Sequence, residues 1–151
     1  MNTTEMKHYK SAEWNFDMDI PKTWHAFPPV CTNSPHEVIR FASKEDGTHL
    51  LIIFRAPHDP NTALQQVCEQ AQKNLEPHGF GNFAVSETTI GHRPAVLLEF
   101  DRPQNGGTWS CREYFLIEGT LQYTLGFGTS NRNAVFDLYD RMAKSFDCSG
   151  E

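Results

Sequence analysis

Residues 14–24 read Trp-Asn-Phe-Asp-Met-Asp-Ile-Pro-Lys-Thr-Trp, an alternation of apolar and polar side chains that ends at a proline and a second tryptophan. Successive side chains of a β-strand point to opposite faces of its sheet, so Phe16, Met18 and Ile20 share one face. This pattern predicts a strand whose apolar face lies against a core. Pro21 predicts where that strand ends.

The rest of the chain predicts further strands in antiparallel order. Residues 37–43 and 49–55 flank Asp46-Gly47, and Asp-Gly between two β-rich runs is typical of a hairpin. Residues 50–54 are apolar on both faces, so we expect this strand to be central and covered on both sides. Four more strands are predicted at 83–89, 95–100, 109–117 and 121–127, with turns at Gly91, Asn105-Gly106-Gly107 and Gly119.

Two segments have the period of amphipathic helices. The apolar face of the first consists of Leu64, Val67, Cys68, Ala71 and Leu75, and that of the second of Val135, Leu138, Tyr139, Met142 and Phe146. Asn61 and Thr62 are candidates to cap the first helix, and Asn131 or Asn133 the second. Lys144 suits the negative end of the second helix dipole.

The order of these elements is a strand, a hairpin, a helix, a four-stranded meander and a helix. It predicts an α+β fold with an antiparallel sheet of about six to seven strands and two helices. The chain of 151 residues is close to one average domain and should bury roughly 70% of its unfolded surface. We therefore expect a single domain over 1–151, with its core in residues 9–146.

The charge and hydropathy of the chain argue against some classes of function. The chain carries 13 Lys plus Arg and 19 Asp plus Glu, a net charge of -6, and its basic residues are scattered. Nucleic-acid binding depends on a basic stripe, so we expect no nucleic-acid partner.

Residues 1–10 are polar and no long apolar run follows, which predicts neither a signal peptide nor a membrane span. We expect a cytoplasmic protein; the alternative is an exported protein whose signal has been removed.

The metal-ligating residue types form no recognised motif. Cys31, Cys68, Cys111 and Cys148 contain no Cys-x-x-Cys, and the seven histidines form neither His-x-His nor His-x-x-x-His. We therefore predict no metal and no cofactor. Cys68 and Cys111 are predicted to be buried, reduced thiols. A Cys31–Cys148 bridge is the alternative for an exported protein.

Candidate catalytic sets are also incomplete. Cys111 or Ser110 could act with His92, but the chain has no nucleophile elbow of the Gly-x-Ser-x-Gly kind. A charged group consists of Glu99, Asp101, Arg102, Arg112 and Glu113 on two facing strands. Paired carboxylates could do acid-base work, whereas cross-strand ion pairs on a wet sheet surface explain them more simply.

Aromatic residues at the ends of elements are the candidate binding residues. Trp24 and Phe27 are predicted in a loop beside Pro28-Pro29, and Trp109 opens a strand. Such side chains can line a groove where a partner docks, or they can plug the open edge of a sandwich. We take Trp24, Phe27, Trp109 and Arg112 as candidate residues for binding a partner or ligand.

Several of these segments carry a family resemblance. Tyr9 followed by residues 14–24, Gly91-His92-Arg93-Pro94-Ala95, and the closing Ser145-Phe146 resemble the superfamily that includes the PsbP subunit of photosystem II, the Ran-binding Mog proteins and the bacterial DcrB-like proteins. The resemblance implies an α/β/α sandwich around an antiparallel sheet. Its members are mostly accessory or binding proteins, including chaperones for secreted toxins, small lipoproteins and photosystem assembly factors. No lipobox cysteine stands near Met1.

These observations lead to three functional hypotheses. The first is a non-catalytic accessory protein that docks another protein through its sheet or a loop-lined groove, such as a chaperone or assembly factor for a secreted effector or complex; it could also form a homodimer. The second is a carrier with a small apolar ligand or lipid between sheet and helix. The third is an enzyme, which would require His92, Cys111 or the surroundings of Arg102 and Arg112 to converge in a pocket.

Overall fold

The structure is a computed structural model that describes residues 5–32, 34–43, 49–130 and 132–148. The strands in these ranges are β1 (Met6–Ser11), β2 (Phe16–Pro21), β3 (Trp24–Phe27), β4 (Glu37–Ser43), β5 (His49–Pro57), β6 (Gly81–Ile90), β7 (Arg93–Gln104), β8 (Gly107–Glu118), β9 (Leu121–Thr129) and β10 (Asp147–Cys148). The helices are α1 (Leu64–Leu75) and α2 (Arg132–Lys144), and a single 3-10 turn, Glu76–His78, follows α1.

Seven strands form a large antiparallel sheet in the order β3-β4-β5-β9-β8-β7-β6. The predicted α+β fold, the strand number and the four-stranded meander of β6 to β9 are confirmed. The turns of the meander are tight because Gly91, Gly106 and Gly119 adopt positive φ, a conformation that costs glycine little. The β4–β5 hairpin is also confirmed, while Asp46-Gly47 lies outside the described residues.

A second, three-stranded sheet has the order β1-β2-β10. The predicted alternation in β2 is confirmed, since Phe16, Met18 and Ile20 are all buried. The partners of β2 are β1 and β10 rather than the large sheet. This small sheet was not predicted, because β1 is mostly polar and β10 has only two residues.

The small sheet and α2 together cover one face of the large sheet. The core on this side contains Phe41, Leu51, Ile53, Tyr114, Leu125, Phe127, Tyr139, Met142 and Phe146. Tyr139 is central to it: its ring stacks on Phe127 at 4.6 Å, and its hydroxyl donates a hydrogen bond of 2.9 Å to the Gly128 carbonyl. Arg93 ties the two sheets together, because it pairs with Glu118 and donates to the Cys148 carbonyl at 2.7 Å.

Helix α1 packs on the opposite face, over β7 and β8. Its cluster contains Cys68 with Val96, Leu98, Phe100, Cys111 and Phe115. The two helices therefore lie on opposite faces, which confirms the α/β/α sandwich. Helix α1 does not extend over β5, where Leu50, Ile52 and Phe54 are only half-buried on this face. The prediction that residues 50–54 are covered on both sides is thus right for one face and wrong for the other.

Some local predictions need correction. Trp24 and Phe27 lie in strand β3 and not in a loop. Helix α1 begins after Ala63, so Asn61 and Thr62 do not cap it; the Gln66 side chain accepts the Ala63 N–H bond at 2.7 Å. Phe146 follows the end of α2 instead of belonging to it.

Some predicted residues of the second helix lie outside the described ranges, and the predictions for the cysteines can be compared with the structure. Asn131 and the side chains of Asn133 and Val135 lie outside the described part of α2. The four cysteines are free thiols, with Cys68 and Cys111 buried as predicted and no Cys31–Cys148 bridge. No helix among the described residues is long and apolar enough to cross a lipid bilayer.

Truncating the buried face of β2 should destabilise the whole fold. Ile20→Ala removes a side chain that is 1% exposed, and we expect it to lower the free energy of unfolding by about 3 kcal/mol, because the transfer and cavity terms add. Urea unfolding measures the change. Val30→Ala, at a side chain that is 42% exposed, is the matched control, and equal losses in the two variants would contradict the assignment of β2 to the core.

Candidate functional site

A groove runs beside α1 on the incompletely covered face of the large sheet. It consists of two adjoining cavities of about 610 Å³ and about 230 Å³ that share Phe54, Leu75 and Glu113. The larger cavity lies between α1 and the strands β5, β8 and β9, and the smaller one extends towards Trp109. We call the two together the α1 groove. It exists because β5 and β9 carry apolar or small side chains on this face while α1 packs over β7 and β8.

The floor of the groove is set by two glycines in β9. Gly126 pairs with Ile52 on one side and with Glu113 on the other, and Gly128 pairs with Leu50 and Cys111. Neither glycine adds a side chain to the sheet surface, so the backbone of β9 is the bottom of the groove. Glycine inside a strand commonly marks such a close approach.

Trp109 lies flat over one of these glycines. A Cβ atom added at Gly128 would stand only 2.5 Å from the Trp109 ring, which is far inside van der Waals contact. A Cβ added at Gly126 would meet the Glu113 carboxylate oxygen at 3.4 Å, a distance that a side chain can accommodate. Gly128 is therefore required for the position of the indole, which lines the smaller cavity of the groove.

Glu113 is the acidic group of the groove. Its carboxylate receives neither a hydrogen bond nor an ion pair from the described residues. Loss of water around it raises the pKa of this carboxyl from 4.5 to about 7, because burial disfavours the charged form. The side chain keeps some exposure through the open groove. Glu113 thus changes its charge near neutral pH.

Two thiols lie close to Glu113. Cys68 faces it from α1, and Cys111 lies two residues before it on the same face of β8. Burial, with a smaller contribution from the Glu113 charge, raises the pKa of Cys111 to about 12 and also raises the pKa of Cys68. Both thiols stay protonated at neutral pH, so they are poor nucleophiles and act as packing residues.

The rim of the larger cavity is polar but largely uncharged. It consists of Ser34, His36, Thr62, Gln66, Gln70, Asn74, Gln122 and Thr124. Gln66, Gln70 and Asn74 form one stripe along α1 because they are spaced four residues apart. No lysine or arginine lines either cavity among the described residues. The groove therefore combines an apolar, aromatic floor with one acidic group and amide side chains at its edge.

The four candidate binding residues do not come together. Trp109 lines the α1 groove. Trp24 is 4% exposed and packs against Tyr139 in the core on the α2 side, which fits the alternative role as a plug. Phe27 lies at the end of the edge strand β3 and is 37% exposed.

Arg112 points to the α2 side, away from the groove. Its guanidinium lies over the rings of Tyr114 and Phe136 and donates to the Phe136 carbonyl at 3.2 Å. It also pairs with Glu99 on the neighbouring strand at 3.8 Å, so that part of the predicted cross-strand pairing is confirmed. Glu113, one residue later, faces α1, so the prediction of ion pairing on a wet surface is wrong for it.

The other candidate chemistry remains dispersed. His92 is exposed at the β6–β7 turn, Cys111 faces α1, and Arg102 lies over the Phe80 ring at 4.7 Å. Within the described ranges, no three His, Cys, Asp or Glu side chains converge as metal ligands would. The sequence signal for the groove was Gly126-x-Gly128 inside a strand, together with Glu113 in an apolar run. These residues are connected only by the pairing of β8 with β9.

Comparisons with known proteins identify the fold. No protein-family model matches this chain, and no curated protein matches it. Among solved structures, cyanobacterial PsbP (CyanoP) from Synechocystis sp. PCC 6803 matches with a TM-score of 0.75 and 12% identity, over 97% of this chain and 94% of that chain.

Two further solved structures agree with that match. LpqN of Mycobacterium tuberculosis, which is involved in cell envelope biogenesis, matches with a TM-score of 0.68 and 12% identity over 96% of this chain and 91% of that chain. The Ran-binding protein Mog1p of Saccharomyces cerevisiae matches with a TM-score of 0.67 and 9% identity, over 97% and 96%. The chain therefore has the PsbP/Mog fold that its sequence resembles.

Neutralising Glu113 should stabilise the protein at alkaline pH. The folded-state pKa is raised, so between about 4.5 and about 7 the folded state binds more protons than the unfolded state, and stability falls as the pH rises through this window. We expect Glu113→Gln to be more stable than the native chain by about 1–3 kcal/mol near pH 8, with little difference near pH 4.5.

Urea unfolding at several pH values measures this difference. Glu69→Gln, at an exposed position of α1, is the control and should show no comparable trend. A Glu113→Gln variant that is less stable than the native chain at alkaline pH would mean that the carboxylate has a stabilising partner.

Replacing a β9 glycine with alanine should destabilise the protein at Gly128 and have a smaller effect at Gly126. Gly128→Ala places a methyl group 2.5 Å from the Trp109 ring, so the indole must move, and we expect a loss of about 2 kcal/mol. Gly126→Ala is the matched control and should cost clearly less, since its methyl group finds ordinary contacts. Thermal unfolding of both variants measures this, and equal losses would contradict the placement of Trp109 over Gly128.

Proposed function

We propose that this protein is a non-catalytic binding protein that holds a small apolar ligand in the α1 groove. The observation that carries the proposal is the groove itself, a cavity of about 610 Å³ between α1 and the large sheet with an adjoining one of about 230 Å³. Sites for small molecules usually measure about 300–1,000 Å³ and are mostly apolar with a few polar groups.

The lining supports binding rather than turnover. The lining of the larger cavity includes Phe54, Leu75 and Phe115, which offer apolar contact area without reactive groups. Cys111, the thiol that lines the groove among the described residues, is held protonated by burial, which argues against covalent catalysis. Among the described residues, neither cavity contains a second carboxylate beside Glu113, and one histidine, His36, lines the larger cavity.

The compartment is also a proposal. The four free thiols support a reducing location, because exported proteins tend to pair their cysteines. We therefore propose the cytoplasm.

Blocking the groove tests the proposal. Ala71→Phe adds a ring on the face of α1 that lines the larger cavity, and we expect at least about a tenfold loss of affinity for a neutral apolar probe such as 1-hexanol, because the ring occupies the same volume. Gln65→Phe, on an exposed position of the same helix, is the control and should bind normally. Isothermal titration calorimetry measures both variants, and native mass spectrometry detects any co-purified ligand.

Absence of probe binding to the native chain would contradict this proposal. So would identical affinities in the native chain and in the Ala71→Phe variant, since the ring could not then share a site with the probe.

A second candidate function is docking of another protein at the β3 edge. Phe27 is 37% exposed and Val30 is 42% exposed, and both lie at or after the end of this edge strand. Paired apolar side chains beside an open strand edge are suited to a protein partner. The Ran-binding protein Mog1p, which shares this fold, shows that the fold can serve protein recognition.

Substitution at Phe27 tests this second candidate. We expect Phe27→Ala to unfold at nearly the native temperature, because the side chain is exposed, and to lose a partner that co-purifies stoichiometrically with the native chain. Trp24→Ala is the contrasting variant: Trp24 is 4% exposed, so it should lose about 3 kcal/mol of stability. A Phe27→Ala variant that keeps its partner would exclude this surface.

A further inference from the structure

We propose that the α1 groove selects ligands that carry one protonated amine on an apolar body, with the Glu113 carboxylate as the partner of the amine. This inference rests on the proposed function, because it names the chemical class of ligand for the same groove.

The position of Glu113 is the first argument. It lines both cavities, so any ligand that spans their junction passes its carboxylate. Gly126 on the neighbouring strand contributes no side chain, so the Glu113 carboxylate and the Phe54 ring lie directly over the β9 backbone at this point. The carboxylate has no bonding partner among the described residues. Its hydrogen-bonding capacity is therefore available to a ligand.

Charge complementarity is the second argument. A buried carboxylate without a partner is costly, and a cation that enters the groove removes much of that cost. No lysine or arginine of the described residues lines the groove, so the protein itself supplies no such cation there and offers nothing to attract an anion. A metal ion would need several ligands, and no group of three ligating side chains is found in the described ranges. An organic ammonium needs only one carboxylate.

The aromatic lining is the third argument. Phe54, Phe100 and Trp109 line the smaller cavity together with Glu113, and Phe115 lines the larger one. Aromatic faces attract ammonium groups, and they also pack against the apolar body of a ligand. A carboxylate between aromatic rings therefore matches an amine with an alkyl or aryl chain better than it matches a neutral lipid or a fatty acid.

The surroundings of Glu113 make the binding dependent on pH. The titratable groups that face it are Cys68 on α1 and Cys111 on β8, both of which stay neutral, while β7, β9 and β5 contribute Leu98, Gly126 and Ile52. His36 lines the larger cavity before β4. Ammonium binding requires the ionised carboxylate, so affinity should fall as the pH falls through about 7.

Calorimetry with three ligands of equal chain length tests the proposal. We expect n-hexylammonium to bind the native chain at least about tenfold tighter than 1-hexanol at about pH 8, and hexanoate to bind more weakly than either, as ionic complementarity requires. Glu113→Gln should abolish the preference for n-hexylammonium over 1-hexanol. Circular dichroism shows whether this variant is folded.

A pH series on the native chain gives a second measurement that needs no variant at Glu113. Affinity for n-hexylammonium should fall by about tenfold between about pH 8 and about pH 6, whereas that for 1-hexanol should stay constant. His36→Asn removes the imidazole from the lining of the larger cavity, and the pH dependence should persist in this variant.

The possible results separate the two proposals. If 1-hexanol binds but n-hexylammonium binds no tighter, or if the preference survives in Glu113→Gln, the selection of amines is wrong while the groove remains a ligand site. If neither ligand binds the native chain, the proposed function and this inference both fail.

Discussion

The limited reach of a single helix over a seven-stranded sheet is the constraint on which the rest of this structure depends. Neighbouring strands lie about 4.8 Å apart and a helix with its side chains is about 10 Å wide, so one helix covers about two strands. Helix α1 has 12 residues and packs over β7 and β8. The opposite face is covered by α2 and a second sheet, and it is filled with aromatic rings. The groove follows directly from this unequal coverage.

The two faces of the large sheet consequently differ in whether their charged side chains have partners. On the α2 side, Arg112 is placed over aromatic rings and pairs with Glu99, so its charge is shared with neighbours. On the α1 side, Glu113 has lost water without gaining a partner among the described residues. Proteins accept such a local destabilisation mainly where a site is needed. The contrast between adjacent residues of one strand supports the proposal of a ligand site on the α1 side.

Much of the fold could be predicted from the sequence because period and turn chemistry are local. The alternation in β2, the meander and both amphipathic helices depend on neighbouring residues, and the structure confirms them. The small sheet could not be predicted, because β1 and β10 carry weak patterns and come together only through β2. The sequence predicts a loop at Trp24 because Pro28-Pro29 lies nearby and because β3 has only four residues, too few for a clear strand pattern.

The candidate site was harder to predict than the fold. Trp109 was identified as a binding candidate from its place at the start of a strand, but the face it occupies depends on strand register. The sequence groups Glu113 with Arg112 because the two are adjacent, yet successive residues of a strand point to opposite faces of the sheet. Gly126 and Gly128 contribute to the groove only because β9 lies between β5 and β8. The pairing of strands that are distant in sequence therefore forms the groove, and no single residue reveals it.

The indole that lies over Gly128 also gives this protein an internal optical reporter. The other two tryptophans are placed elsewhere, with Trp24 in the core and Trp14 beside the Arg55 guanidinium. Of the three tryptophans, Trp109 alone lines the α1 groove, in its smaller cavity. Indole emission shifts with the polarity and charge of its surroundings, so replacing Trp14 and Trp24 with phenylalanine would leave a single emitter at the groove. Occupancy could then be followed in real time without a label.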